Sequence, residues 1–266
     1  MQSFYVTQKI KMSDTRPLIL ISNDDGFDAK GINDLAEMVR DLGDVVIVAP
    51  DGGRSGAAVS ITSGMPVRLK KICSEPGLEV YSCTGSPCDC VKIALDSVLD
   101  RQPDIVLAGI NHGDNASINV HYSGTMGCVI EGMIKHVPSV GFSSCKREPN
   151  ADFSALKPYV RKIVKNVLSL GLPPHLCLNV NFPPCEEFKG VRVCRMDEGE
   201  WVNEWERRID PRNREYFWLT GTYKAYTPDD DSTDRWALNH EYVAITPIQL
   251  DMTAYKAFNQ IQELIK

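Results

Sequence analysis

Two adjacent carboxylates, Asp24 and Asp25, stand where the apolar run Leu18-Ile19-Leu20-Ile21 breaks into Ser22-Asn23-Asp24-Asp25-Gly26. Side by side, two carboxylates raise each other's pKa unless a cation neutralises them. The stretch therefore offers a divalent metal site, or an Asp-Gly turn leading into a helix. Two more loops carry oxygen donors. Asp51-Gly52-Gly53-Arg54-Ser55-Gly56 follows a second apolar run, and Ile110-Asn111-His112-Gly113-Asp114-Asn115 a third. Asp24, Asp25, Ser55 and Asn111 make an all-oxygen set, which suits Mg²⁺ or Mn²⁺ rather than zinc. Further on, Ser123-Gly124-Thr125 precedes a helical stretch. Hydroxyls and free N–H groups at a helix start suit phosphate, although a plain N-cap has the same residues.

These residues act together only if the chain gathers the loops. Residues 18–22, 45–49, 104–109, 137–142 and 177–183 read as strands, the first buried because no polar residue interrupts it. Ile32, Leu35, Ala36 and Val39 fall at helical spacing before Gly43, so the start is strand, helix, strand with a right-handed crossover. Residues 67–73 and 78–83 form a hairpin about Ser74-Glu75-Pro76-Gly77. Ser86-Pro87 opens a helix to about residue 99, and helices follow at 128–135 and 153–170. In such α/β sheets ligands bind at the carboxyl ends of the strands, where the three loops converge. After Pro184 the alternation fails. Strands at 191–196, 216–222 and 242–246 lack long helices between them, and a terminal helix carries Tyr255, Phe258, Ile261 and Ile265 as an apolar stripe. The charged segment 197–214 holds Trp201 and Trp205, and Asp229-Asp230-Asp231 reads as a solvated loop. This tail packs on a second subunit or folds back on its own core.

Length and charge narrow the options. The 266 residues, 43% hydrophobic, suit one sizeable domain or a domain with an appendage. A net charge of -6 argues against nucleic-acid binding, and no apolar run reaches membrane-spanning length. Residues 1–16 lack a signal-peptide core and read as a disordered leader, with Met12 a candidate start. Nine cysteines without a paired Cys-x-x-Cys layout read as buried reduced thiols, hence a cytoplasmic location. Cys88-Asp89-Cys90 is a weak metal signal, and the sequon at Asn115 is discounted for want of a secretory signal. The missing Gly-x-Gly-x-x-Gly counts against a dinucleotide-dependent oxidoreductase.

Several motifs follow in order: Ile19 to Phe27; Val48-Ala49-Pro50-Asp51 with Arg54-Ser55-Gly56; and Gly109-Ile110-Asn111-His112-Gly113 with Asn115. Then come Tyr122-Ser123-Gly124-Thr125 with Glu131-Gly132, Asn179-Val180-Asn181-Phe182-Pro183, and Ile245-Thr246-Pro247. This series resembles the SurE family of survival-protein nucleotidases from Leu18 to Tyr255. The resemblance implies a Rossmann-like three-layer α/β core with a mainly parallel sheet at 17–184. It implies a β-rich oligomerisation arm and C-terminal helix at 185–266, and a homodimer or homotetramer with C-terminal exchange. It implies hydrolysis of nucleoside 5′- and 3′-monophosphates, in some members also short polyphosphate, with no nucleic-acid or membrane partner. One divalent cation (Mg²⁺ or Mn²⁺) per subunit would lie on Asp24, Asp25, Ser55 and Asn111, with Asp24 and Asp25 catalytic. Asn23, Asn115, Ser123, Gly124 and Thr125 would surround the phosphate. Where the family usually has Gly-Thr-Pro-Ala-Asp-Cys, this chain has Gly85-Ser86-Pro87-Cys88-Asp89-Cys90; serine keeps the capping hydroxyl. A proton taken from water and a phosphorylated aspartate are both open as routes. The alternative reading is a nucleotide-binding or sensory protein that does no chemistry.

Overall fold

The computed structural model describes residues 16–266. The expectation of a leader with a start at Met12 lies outside the described residues. Among the described residues thirteen strands are formed: β1 (Leu18–Ser22), β2 (Asp44–Pro50), β3 (Leu69–Glu75), β4 (Leu78–Cys83), β5 (Ile105–His112), β6 (Ser139–Ser144) and β7 (Leu176–Phe182). In the tail come β8 (Val191–Val193), β9 (Gly199–Val202), β10 (Trp205–Ile209), β11 (Glu215–Leu219), β12 (Thr222–Ala225) and β13 (Val243–Gln249). Nine of them make one sheet in the order β3-β4-β2-β1-β5-β6-β7-β13-β8. From β4 to β7 neighbouring strands are parallel. Counted among themselves, these six strands run 3-2-1-4-5-6, the order of dinucleotide-binding folds. The strand order reverses between β1 and β5, which opens a crevice there.

The helices are α1 (Lys30–Val39), α2 (Pro87–Ile93), α3 (Gly124–Ile134), α4 (Lys157–Leu170), α5 (Asp234–Asn239) and α6 (Phe258–Leu264). Alternate residues of a strand face opposite sides of its sheet. Ile19, Ile21 and Ile47 thus join Ile32 and Leu35 of α1 and Val160 and Val164 of α4 in one core. Leu20, Val46 and Val48 join Cys90 of α2 and Met126 and Val129 of α3 in another. Strands buried on both faces explain why β1 and β2 read as unbroken apolar runs.

Several expectations need correction. The helix expected over 153–170 starts at Lys157, because Pro158 suits a first turn, and Ser154–Leu156 is a separate 3-10 turn. The helix from Ser86 is α2 only to Ile93; Ala94–Val98 continues as a π-helix. Within the charged segment 197–214 lie β9 and β10, and the strand expected over 216–222 is two strands, β11 and β12. These form two-stranded antiparallel ribbons, β10 with β11 and β12 with β9. Their charged residues, such as Glu206, Arg207 and Arg208 in β10, hide strand character behind polarity. Helix α5, capped by the Thr233 side chain, was not foreseen. Asp230 is more than solvated loop: it accepts hydrogen bonds from Ser232 and Arg195. The sheet also crosses the boundary drawn at Pro184, since β13 pairs antiparallel with β7 and carries β8.

Candidate active site

The carboxyl ends of β1, β2 and β5 supply three walls of one cleft. Asp24, Ser55, Asn111, Asn115 and Ser123 line it, within a volume of about 180 Å³. A larger cavity of about 680 Å³, beside Lys92 and Asp96, holds none of these residues.

The Asp-Gly turn and the carboxylate pair prove to be one device. Gly26 has φ +115°, which a side chain would strain. The Asn23 carboxamide closes the turn: Nδ2 donates to the Gly26 carbonyl at 2.9 Å, and Oδ1 accepts from the Gly26 N–H at 3.1 Å. The turn leaves Asp24 buried, its carbonyl accepting from the Arg54 N–H at 2.6 Å, so the first loop is tied to the second. Asp24 Oδ1 accepts from the Thr125 hydroxyl at 2.5 Å. Burial pushes the Asp24 carboxyl up to about 6, against the hydrogen bond from Thr125 and with help from the Asp25 charge. Burial also raises Asp25, opposed by the charge and backbone N–H of His112. Asp25 Oδ2 is a buried oxygen without a hydrogen-bond partner. A native protein seldom leaves such an atom alone unless a water, ligand or ion meets it.

Asn111 donates from Nδ2 to the Gly113 carbonyl at 2.8 Å, which leaves Oδ1 as its acceptor toward the cleft. Ser123 caps α3: its Oγ accepts from the Met126 N–H at 3.0 Å, and its own hydroxyl hydrogen remains to donate. Gly124 lets the helix start press on the carboxylate. A Cβ there would lie 2.6 Å from Asp24 Cβ and 3.0 Å from Oδ2. Asn115 is seated by a buried amide network. Its N–H donates to Asn181 Oδ1 and its Nδ2 to Ser143 Oγ; Asn179 Nδ2 donates to its carbonyl. Asn181 in turn donates to Asn179 Oδ1 at 2.9 Å.

Most of the expected residues fall into two groups, while Asp25 and Gly124 do not line the cleft. Asp24, Ser55, Asn111, Asn115 and Ser123 face the cleft together. Asn23, expected at phosphate, holds the turn, and Thr125 turns its hydroxyl to Asp24. Sequence reading also missed lining residues: His112, Asp114, Asn119 and Tyr122. It missed the part played by Asn179 and Asn181, whose signal was present. Two amides two residues apart on a buried strand share one face and need partners.

The donors that could hold a cation are carboxylate, hydroxyl and amide oxygens. Among the described residues no group of three or more His, Cys, Asp or Glu gathers at a metal-like spacing. Asp24, Ser55 and Asn111 in the cleft fit a hard, oxygen-preferring ion, and Asp25, next to Asp24 in the chain but not among the cleft-lining residues, has a buried Oδ2 without a partner. The family model described as survival protein SurE matches residues 19–203, which hold every one of these positions. The chain belongs to the SurE family. A relative from Phocaeicola vulgatus named 5'-nucleotidase SurE is 54% identical, covering 94% of this chain and 98% of its own. One of the same name from Porphyromonas gingivalis is 41% identical over 93% and 96%. The crystal structure of SurE from Aquifex aeolicus superposes with a TM-score of 0.81 at 37% identity, covering 94% of this chain and all of that one. The SurE motifs at the ends of β1, β2 and β5 meet in one crevice, and Asn179 and Asn181 of the β7 motif hydrogen-bond the Asn115 that lines it.

Proposed function

We propose that this SurE protein is a 5'-nucleotidase that hydrolyses nucleoside 5′-monophosphates to nucleoside and phosphate with the help of a divalent cation. The observation that carries this reading is the cleft that gathers the oxygen donors Asp24, Ser55 and Asn111 beside a capped helix start. The names of its relatives support the substrate class. Asp24, Asp25, Ser55 and Asn111 would hold the cation, Mg²⁺ or Mn²⁺, one per subunit. Once bound, such an ion supplies Lewis-acid screening of the phosphoryl oxygens.

The chain's own groups do the rest. Ser123 and Asn115 donate to the equatorial oxygens, where charge concentrates as the ester bond breaks. The positive end of the α3 dipole at Gly124 favours the same charge. Carboxylate oxygens of Asp24 and Asp25 accept hydrogen bonds from the attacking water and orient it. Thr125 and Asn23 position rather than contact: one fixes the Asp24 rotamer, the other the turn. The nine free cysteines suit a reducing cytoplasm, and no described helix is long and apolar enough to cross a membrane. Exposed Trp205, Phe217 and Trp218 of the β10–β11 ribbon and Phe258 and Ile261 of α6 suit burial in a homo-oligomer, with C-terminal exchange as one way to bury α6.

Phosphate release from AMP tests this reading. Release is expected with Mn²⁺ or Mg²⁺, is lost with chelator, and falls by at least about a hundredfold in Asp25→Asn, which stays folded. Tight nucleotide binding without release under any divalent ion would leave the chain a sensor instead.

A further inference from the structure

The cleft is small for a whole nucleotide. Its volume of about 180 Å³ lies below the roughly 300 Å³ at which pockets begin to enclose a drug-sized ligand. It takes the phosphate end, and the nucleoside must lie along the rim. One tyrosine stands there. The 3-10 turn Ser117–His121 ends on Tyr122, whose N–H donates to the Asn119 carbonyl at 3.0 Å. Residues three apart in such a turn share a face, and both Asn119 and Tyr122 line the cleft. Tyr122 is 60% exposed, yet its backbone is fixed, because its carbonyl accepts from the Ala58 N–H at 3.1 Å.

The turn is held by residues from the C-terminal part of the chain. The buried Asp234 carboxylate accepts from the Ser117 N–H at 2.8 Å and from its Oγ at 3.1 Å. Its neighbour Arg235 pairs with Asp114 at 2.8 Å, so α5 grips both ends of residues 114–117. The Trp201 indole N–H donates to Asn119 Oδ1 at 2.9 Å, while Asn119 Nδ2 reaches Asp114 at 3.3 Å. Asn119 is thereby oriented from both sides, and its amide is occupied by protein rather than ligand.

We propose that Tyr122 is the platform on which the nucleobase stacks, and that Asn119, Trp201 and the Asp234–Arg235 pair are positioning residues that hold it over the cleft. This rests on the nucleotidase reading. A stacking face accepts every base, so the rim favours nucleosides as a class without choosing sharply among them.

Hydrolysis of AMP is compared with that of ribose 5-phosphate, which has the same phosphate and sugar but no base. The quantity read is the ratio of kcat/KM for the two substrates. Wild type prefers AMP. Tyr122→Ala lowers the ratio about tenfold, chiefly through KM for AMP, and Tyr122→Phe restores it. Trp201→Phe keeps the ring, removes the N–H donor and moves the ratio in the same direction. An active wild type whose ratio is unmoved by Tyr122→Ala overturns the inference alone. A wild type that hydrolyses neither substrate overturns the nucleotidase reading and the inference with it.

Discussion

Asp24 shows how one residue's surroundings set its chemistry. Its carboxyl is raised to about 6 chiefly because it is buried, and the neighbouring Asp25 charge adds to the shift. Between the ordinary carboxylate range and pH 6 the native protein holds a proton that the unfolded chain has released. Stability of the metal-free protein therefore falls as pH rises through that window. The full shift corresponds to on the order of 3 kcal/mol, or several degrees of melting temperature for a chain this size. Asp24→Asn keeps an acceptor for Thr125 and removes the buried charge. Its metal-free form should melt above wild type at pH 7, with the two curves converging near pH 4, and Mn²⁺ should stabilise only wild type. Scanning calorimetry across that pH range checks this, and identical curves for both proteins would contradict it.

The helix α3 is the element on which the site depends most. Ser123 caps it, Gly124 lets it touch Asp24, and Thr125 bonds that carboxylate. Gly124→Ala should therefore hurt twice. The added methyl pushes the helix start off the carboxylate, at about 1–3 kcal/mol of stability. A displacement near 1 Å at reacting groups costs about a hundredfold in rate. Denaturant melts and AMP kinetics on the same preparation test both, and wild-type kinetics would show the close approach to be unnecessary. Ser123-Gly124-Thr125 was legible as a helix start with hydroxyls, but a linear motif cannot say which hydroxyl faces the ligand. Rotation about the helix decided that, turning Thr125 inward to Asp24 and leaving Ser123 on the cleft.

At the scale of the molecule, the tail is both scaffold and exposed surface. β13 extends the central sheet, and α5 grips the rim of the cleft through Asp234 and Arg235. β10, β11 and α6 are exposed throughout. Exposed Phe258 and Ile261 make α6 a face that water solvates poorly. Replacing both with glutamate should lower the particle mass found by light scattering without unfolding the monomer. An unchanged mass would place the subunit contacts elsewhere.

Residue types and their order were enough for the α/β class, for β1 as a buried strand and β2 as an apolar one, and for the strand-end loops whose Asp24, Ser55 and Asn111 meet in one cleft. These are local properties: apolar periodicity, glycine at turns, and donors at strand ends. The charged ribbons β9 and β10, helix α5 and the grip of Asp234 on Ser117 were not legible. The last joins residues 117 positions apart, and β9 and β10 lie in a segment dense in charge, without the apolar runs that marked β1 and β2. Asp24-Asp25 was a turn or a metal site in the sequence. Tertiary structure shows the turn, closed by Asn23 and Gly26, and sets Asp24 against the start of α3, where burial weakens its acidity.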